Sequence, residues 1–175
     1  MFFEKLVRRL IEMAKDLKAN LVFWVVLVMI IFLEGISGLP GKNSENQGKK
    51  EIIILPGTSS SALPFSSAVK AGNFMFLSGV IGTDLKTNDL VSPDVGEQTR
   101  QCLEKLKLVL AQGGMDMGDV VNATVYLSDV NDYEAMNKVY STYFPSDPPA
   151  RACVQVGKLV KGAKVEIAMI AWKAK

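Results

Sequence analysis

Residues 148–171 read PPARACVQVGKLVKGAKVEIAMIA, two strand-length runs separated by KLVKG. Side chains alternate between faces along a strand. Arg151, Cys153 and Gln155 therefore share one face and Ala152, Val154 and Val156 the other, so the arginine is expected to point away from the apolar face. On the second run Val165, Ile167 and Met169 share a face, which leaves Glu166 on the opposite one beside Ala168, Ile170 and Trp172. The spacer predicts a terminal hairpin over residues 151–157 and 163–172. An acid set among apolar neighbours suits general acid/base work, because desolvation disfavours the charged form of a carboxylate. An arginine fork at another edge of the site suits bidentate capture of a substrate carboxylate. On spacing alone, a solvated Glu166 and a surface or ion-paired Arg151 are the competing reading.

Upstream, residues 51–55 (EIIIL) predict a strand and residues 57–64 (GTSSSALP) a loop. Residues 65–70 pair with residues 74–81 (FMFLSGVI) across Ala71-Gly72-Asn73 as a hairpin. Ser78 precedes Gly79 at the end of that apolar run, where a backbone N–H is left free to meet a ligand. Without a histidine or a nearby lysine, Ser78 has no base to make it a nucleophile. Ser92-Pro93 offers an N-cap and a first-turn proline, with Asp94 and Glu97 as a capping box one turn later. Val95, Cys102, Leu103, Leu106, Val109 and Leu110 recur at helical spacing until Gly113-Gly114 closes the run. Residues 120–127 (VVNATVYL) predict a strand, and Asn131 with Glu134 opens a second helix that Pro145 stops. Gln98 and Asn137 read as helix surface. The order is β-β-β-α-β-α-β-β, an α+β sheet with both helices on one face.

The 175 residues contain no histidine, which excludes Ser-His-Asp and Cys-His catalysis and every His-ligated metal site. Cys102 and Cys153 are too few for a structural zinc and read as core thiols. Residues 1–50 hold 8 of the 20 Lys/Arg and 5 of the 18 Asp/Glu, leaving 12 against 13 in residues 51–175, a net charge of −1. Nucleic acid is not the expected partner of so neutral a domain, since phosphate binding needs clustered cations.

Ahead of the domain, residues 1–20 form a basic leader with Lys5, Arg8, Arg9, Lys15 and Lys18. Residues 21–33 (LVFWVVLVMIIFL) are uncharged, and the segment 21–39 reads as a membrane anchor or signal, with residues 40–50 as a polar linker. The uncharged run spans about 20 Å as a helix, against a hydrocarbon core of roughly 30 Å. An uncleaved anchor is favoured over a cleaved signal, and the positive-inside rule puts residues 51–175 on the non-cytoplasmic side. A cytoplasmic location is the alternative.

Three segments resemble the reactive intermediate deaminase family, also called YjgF-like and labelled L-PSP endoribonuclease. They are ALPFSSAVKAGNFMFLSGVIG at residues 62–82, the run EQTRQCLEKLKLVLAQGGMDMGDVVNATVYLSDVNDYEAMNKVYSTYF at residues 97–144, and the C-terminal stretch quoted first. The resemblance covers about residues 52–174. It implies a chorismate-mutase-like fold, a homotrimer with sites between subunits, and no cofactor. The activity implied is hydrolysis of 2-imino or enamine acids, such as 2-aminoacrylate and 2-iminobutanoate, to 2-oxo acids and ammonia. By the same resemblance Arg151 binds the substrate carboxylate, the Cys153 backbone carbonyl helps to place water, and Glu166 polarises that water or protonates the leaving nitrogen. Ser78 and Gly79 line the cleft. Phe65 stands where active relatives have tyrosine, and SGVIG replaces SGQIP, so a lower rate or an altered substrate is expected. A non-catalytic module that binds small carboxylates or a protein partner, and an endoribonuclease, are the competing functions.

Overall fold

The computed structural model describes Lys5, residues 49–55 and residues 64–174. Contacts divide the chain into Met1–Glu45 and Asn46–Lys175, and apart from Lys5 every described residue lies in the second unit. All of the leader but Lys5, the 21–39 segment and most of the 40–50 linker expected from the sequence lie outside the described residues.

The strands are β1 (Glu51–Ile53), β2 (Ala68–Ala71), β3 (Phe74–Ile81), β4 (Val120–Leu127), β5 (Ala150–Gln155) and β6 (Val165–Trp172); the helices are α1 (Val95–Gln112) and α2 (Tyr133–Tyr140). This is the element order expected. The strands form one sheet in the order β1-β2-β3-β6-β4-β5. β2 and β3 pair antiparallel across Gly72, whose φ of 60° is the left-handed turn geometry that glycine accepts freely.

The C-terminal pairing differs from the hairpin expected. β6 enters between β3 and β4, antiparallel to both, while β5 lies parallel to β4 at the sheet edge. The connector holds a short 3-10 turn at Val160–Gly162, with Lys161 and Gly162 at φ of 58° and 71°, instead of a tight hairpin turn. Burial explains the choice. Val165, Ile167, Met169 and Ala171 are all sealed in the core, as suits a central strand, whereas β5 has no fully buried residue and suits an edge.

α1 packs its 102–103–106–109–110 stripe against β3 and β6, and α2 adds Met136 and Tyr140 to the same core. The cap of α1 falls on Asp94, whose carboxylate accepts the Glu97 N–H at 2.9 Å. Ser92, the expected cap, instead accepts the Asp94 N–H at 3.0 Å. At the other end Lys70 of β2 donates to the Gly113 carbonyl at 2.9 Å, a cation at the negative pole of the helix. Asp129 caps the 3-10 turn Val130–Asp132 by accepting the Asn131 N–H at 2.9 Å, and α2 itself opens at Asp132 and not at Asn131.

Gln98, expected on a helix surface, is 1% exposed. Its Nε2 donates to the Ser92 carbonyl at 2.7 Å and its Oε1 accepts the Lys164 N–H at 2.8 Å, tying α1 to the entry of β6. Among the described residues no helix is long and apolar enough to cross a membrane. Truncating Gln98 strands a buried N–H and a carbonyl at once. Gln98→Ala is expected to lose about 2 kcal/mol of stability, read as a lowered denaturant midpoint at unchanged slope.

Candidate active site

Between Leu77 and Val80 the pairing of β3 with β6 shifts register, so Ser78 and Gly79 bulge from the ladder. Behind this bulge is a cavity of about 430 Å³ whose walls include Phe65, Ser78, Gly79, Lys105 and Glu166. Four of the residues singled out from the sequence thus meet in one place. Ser78 Oγ donates to the Ser66 carbonyl at 2.7 Å and its N–H donates to the Ser67 carbonyl at 3.0 Å, so this hydroxyl fastens the loop before β2. Phe65 is 56% exposed and places an apolar ring, without a hydroxyl, in the wall.

Glu166 lies on the face of β6 opposite Val165 and Ile167, level with Ile81 on β3 and Tyr126 on β4. Its carboxylate rests over Gly79, where a Cβ would collide with Oε1. A side chain at this position would push the flexible end of Glu166 aside. Among the described residues Glu166 has neither a hydrogen bond nor an ion-pair partner, and it is only partly exposed.

Lys105 is the cavity residue that the sequence reading missed. Only 9% exposed, it reaches from α1 to donate to the Ile81 carbonyl at 3.0 Å and to Thr83 Oγ1 at 2.9 Å. Burial pushes its ammonium below the usual lysine range, opposed by Cys102 and Asp84. The signal was present: Lys105 falls within the apolar stripe between Cys102 and Val109, three and four residues away. Cys102 is a core thiol as expected, pushed up to about 12 by burial. Among the described residues no three Cys, Asp or Glu side chains gather to hold a metal ion.

Arg151 is not in this cavity. It pairs in register with Ala123, which is fully buried beneath the helices, so Arg151 and Cys153 face α2, contrary to the expectation that the arginine turns from the apolar side. The reason is that the sheet face carrying Ala152 and Val154 is uncovered, with Val154 46% exposed. The Arg151 guanidinium stacks 4.5 Å from the Tyr140 ring centroid and donates to the Tyr133 hydroxyl at 3.4 Å. A shallow groove holds Arg151 with Asn137, Tyr140 and Pro149. The Tyr140 hydroxyl is buried without a hydrogen-bond partner, and burial pushes its pKa up to about 12 against the opposing charge of Arg151.

Val156 donates its N–H to Leu127 of β4 at 2.9 Å. Backbone groups alternate along a strand, so those of Ala152 and Val154 point to β4, and those of Arg151, Cys153 and Gln155 to the open edge. The Cys153 carbonyl is thereby offered outward beside Arg151. Its thiol, expected in the core, is half-buried against the core margin. One chain therefore holds two half-sites on opposite faces: the acid with Ser78, Gly79 and Phe65, and the guanidinium with the Cys153 carbonyl.

Residues 58–173 match the endoribonuclease L-PSP family, and the chain belongs to that family, the reactive intermediate deaminase or YjgF-like proteins. A RutC family protein of Pyrococcus horikoshii is 44% identical over 124 residues, 71% of this chain and 98% of the relative. The 3-aminoacrylate deaminase RutC of Acinetobacter baylyi is 42% identical over 123 residues, 70% of this chain and 97% of the relative. The crystal structure of E. coli TdcF with bound serine superposes with a TM-score of 0.66 at 33% identity, covering 71% of this chain and 99% of that one. The fold is the chorismate-mutase-like one. The membrane-anchored or exported placement expected from the sequence finds no support: among the described residues no helix is long and apolar enough to cross a membrane.

Because the Glu166 carboxylate occupies the space a Cβ would need, Gly79→Ala must displace it. This substitution is expected to lower turnover of any substrate handled by Glu166 by about tenfold or more, with little change in Tm. Steady-state kinetics beside a thermal melt read the two effects separately.

Proposed function

We propose that this domain hydrolyses small 2-imino and enamine acids, of the 2-aminoacrylate and 2-iminobutanoate type, to 2-oxo acids and ammonia, in clefts between the copies of a homotrimer. The observation that carries the reading is the separation of its two charged groups. An unpartnered acid lines a cavity on one part of the chain, and a guanidinium with an outward carbonyl lies on the open edge of another. Neither half alone grips a carboxylate and moves a proton; one copy's edge laid on the next copy's cavity does both.

The uncovered sheet face supports assembly. Phe76 and Ile170 share a row across β3 and β6, and Phe74 pairs with Trp172 beside them. Phe74, Phe76 and Trp172 each expose more than 40% of their surface. An apolar face of this kind is ordinarily covered by a partner. The relatives agree with the ligand class, since one is a 3-aminoacrylate deaminase and TdcF was crystallised with serine, a small carboxylate.

In the proposed reaction Arg151 of one copy holds the substrate carboxylate bidentately while stacking fixes its plane. Water, accepted by the Cys153 carbonyl and by Glu166 of the neighbouring copy, adds to the imine carbon as Glu166 takes one of its protons. Glu166 returns that proton to nitrogen to give the neutral carbinolamine and then carries the hydroxyl proton to the same nitrogen, so that the C–N bond breaks, ammonia leaves and the carbonyl forms. An enamine substrate first tautomerises to the imine, gaining a proton at its terminal carbon and losing one from nitrogen. The free imine hydrolyses in water unaided, so positioning and one acid/base group suffice.

Phe65, which puts an apolar ring without a hydroxyl in the cavity wall where the family resemblance leads one to expect tyrosine, favours one alternative, a module that binds the same acids without turnover. RNA cleavage has less behind it, because residues 51–175 are near neutral and lack histidine.

Arg151→Ala is expected to reduce kcat/KM for 2-aminoacrylate by about a hundredfold, mostly through KM, and Glu166→Gln to reduce kcat by roughly 10² or more. Mixing and reassembling the two inactive variants should restore activity, because some clefts then receive Arg151 from one variant and Glu166 from the other. Failure of the mixture to recover, with both variants folded and assembled, would rule out a shared cleft. Full activity of Arg151→Ala would rule out the scheme.

A further inference from the structure

We infer that the cavity takes an imino acid bearing a second anionic group, and that Lys105 receives that group. The inference rests on the proposed reading of the cavity as a 2-imino-acid site and narrows its substrate class.

Three observations point there. Lys105 lines the cavity that holds Glu166, its ammonium bonded to Ile81 and Thr83 of the same wall, and no carboxylate lies within ion-pair distance of it among the described residues. Buried cations are ordinarily paired. The acids nearest in charge are occupied or remote: Asp84 accepts the Lys86 and Thr87 N–H groups at 2.8 and 2.9 Å, and Glu166 makes no ion pair with Lys105. An ammonium has three donors. The Ile81 carbonyl and Thr83 Oγ1 take two, leaving one N–H for a ligand, and these two bonds hold Nζ in place for it.

The cavity also exceeds what a three-carbon acid needs. Its volume of about 430 Å³ falls in the range that accommodates much larger ligands. Lys161 adds a second cation to the same wall, tethered to the Asn88 carbonyl. With the substrate's own carboxylate assigned to Arg151 of another copy, the charge at Lys105 is free for an anionic group at the far end of the side chain. A 2-imino diacid meets both demands. A neutral aliphatic imino acid leaves Lys105 unanswered.

Isothermal calorimetry on the full chain, with 2-oxoglutarate and 2-oxobutanoate as product-like probes, tests this. The unsubstituted protein is expected to bind the diacid at least about tenfold more tightly, and Lys105→Met to erase that preference while leaving 2-oxobutanoate affinity within about twofold. A merely structural Lys105 would shift the melting temperature without moving the ratio. Should Lys105→Met fail to fold, Lys105→Gln keeps a donor for the Ile81 carbonyl and serves instead. Equal affinities in the unsubstituted protein, or a preference that survives either substitution, overturn the inference. Loss of both acids in Arg151→Ala upholds the cleft reading independently of Lys105. If neither acid binds and no imine is turned over, that reading falls and takes this one with it.

Discussion

Val165, Ile167, Met169 and Ala171 are sealed between the sheet and its two helices, and because side chains alternate along a strand, Glu166 is forced onto the opposite face. Sliding β6 by one residue would expose all four apolar side chains and bury the acid, so the register is held by the whole core. The same core fixes the other half of the chemistry. Ala123, Val125 and Leu127 on β4 are equally buried, and their register partners Arg151, Cys153 and Gln155 must follow them to the helix side.

The carboxylate and the guanidinium sit on opposite faces of the sheet and line separate pockets of one protomer. The separation is a direct product of strand alternation, and it makes assembly a chemical requirement of the proposed reaction as well as a way to cover apolar surface. The bulge at Ser78-Gly79 adds a second constraint. By releasing two residues from the ladder it opens the cavity, and by lacking a side chain at position 79 it gives the acid somewhere to rest.

Much of this was legible in the sequence. The β4 limits, the helical stripe from Val95 to Leu110 and the alternation in residues 165–172 follow directly from apolar periodicity, and element order followed from them. The strand pairing did not. KLVKG looks like a turn, and nothing local distinguishes a hairpin from a strand inserted two places away; only the total apolar burial of β6 decides it. The facing of Arg151 was misread for a related reason: Ala152 and Val154 are apolar, yet the face they serve has no cover within one chain. Lys105 was passed over because lysine on a helix is ordinarily solvated, although its place in the stripe marked it as buried. Family resemblance placed Arg151, Cys153 and Glu166 together, which spacing alone left open.

The guanidinium held over the Tyr140 ring carries a consequence for kinetics. A free arginine wanders among many rotamers, and a ligand must wait for, or impose, the competent one. Here the plate is already oriented by the ring beneath it and steadied by the Tyr133 hydroxyl. For a short-lived substrate of the proposed kind this matters, because capture is then governed by how often the molecule arrives and not by how long the receptor takes to arrange itself.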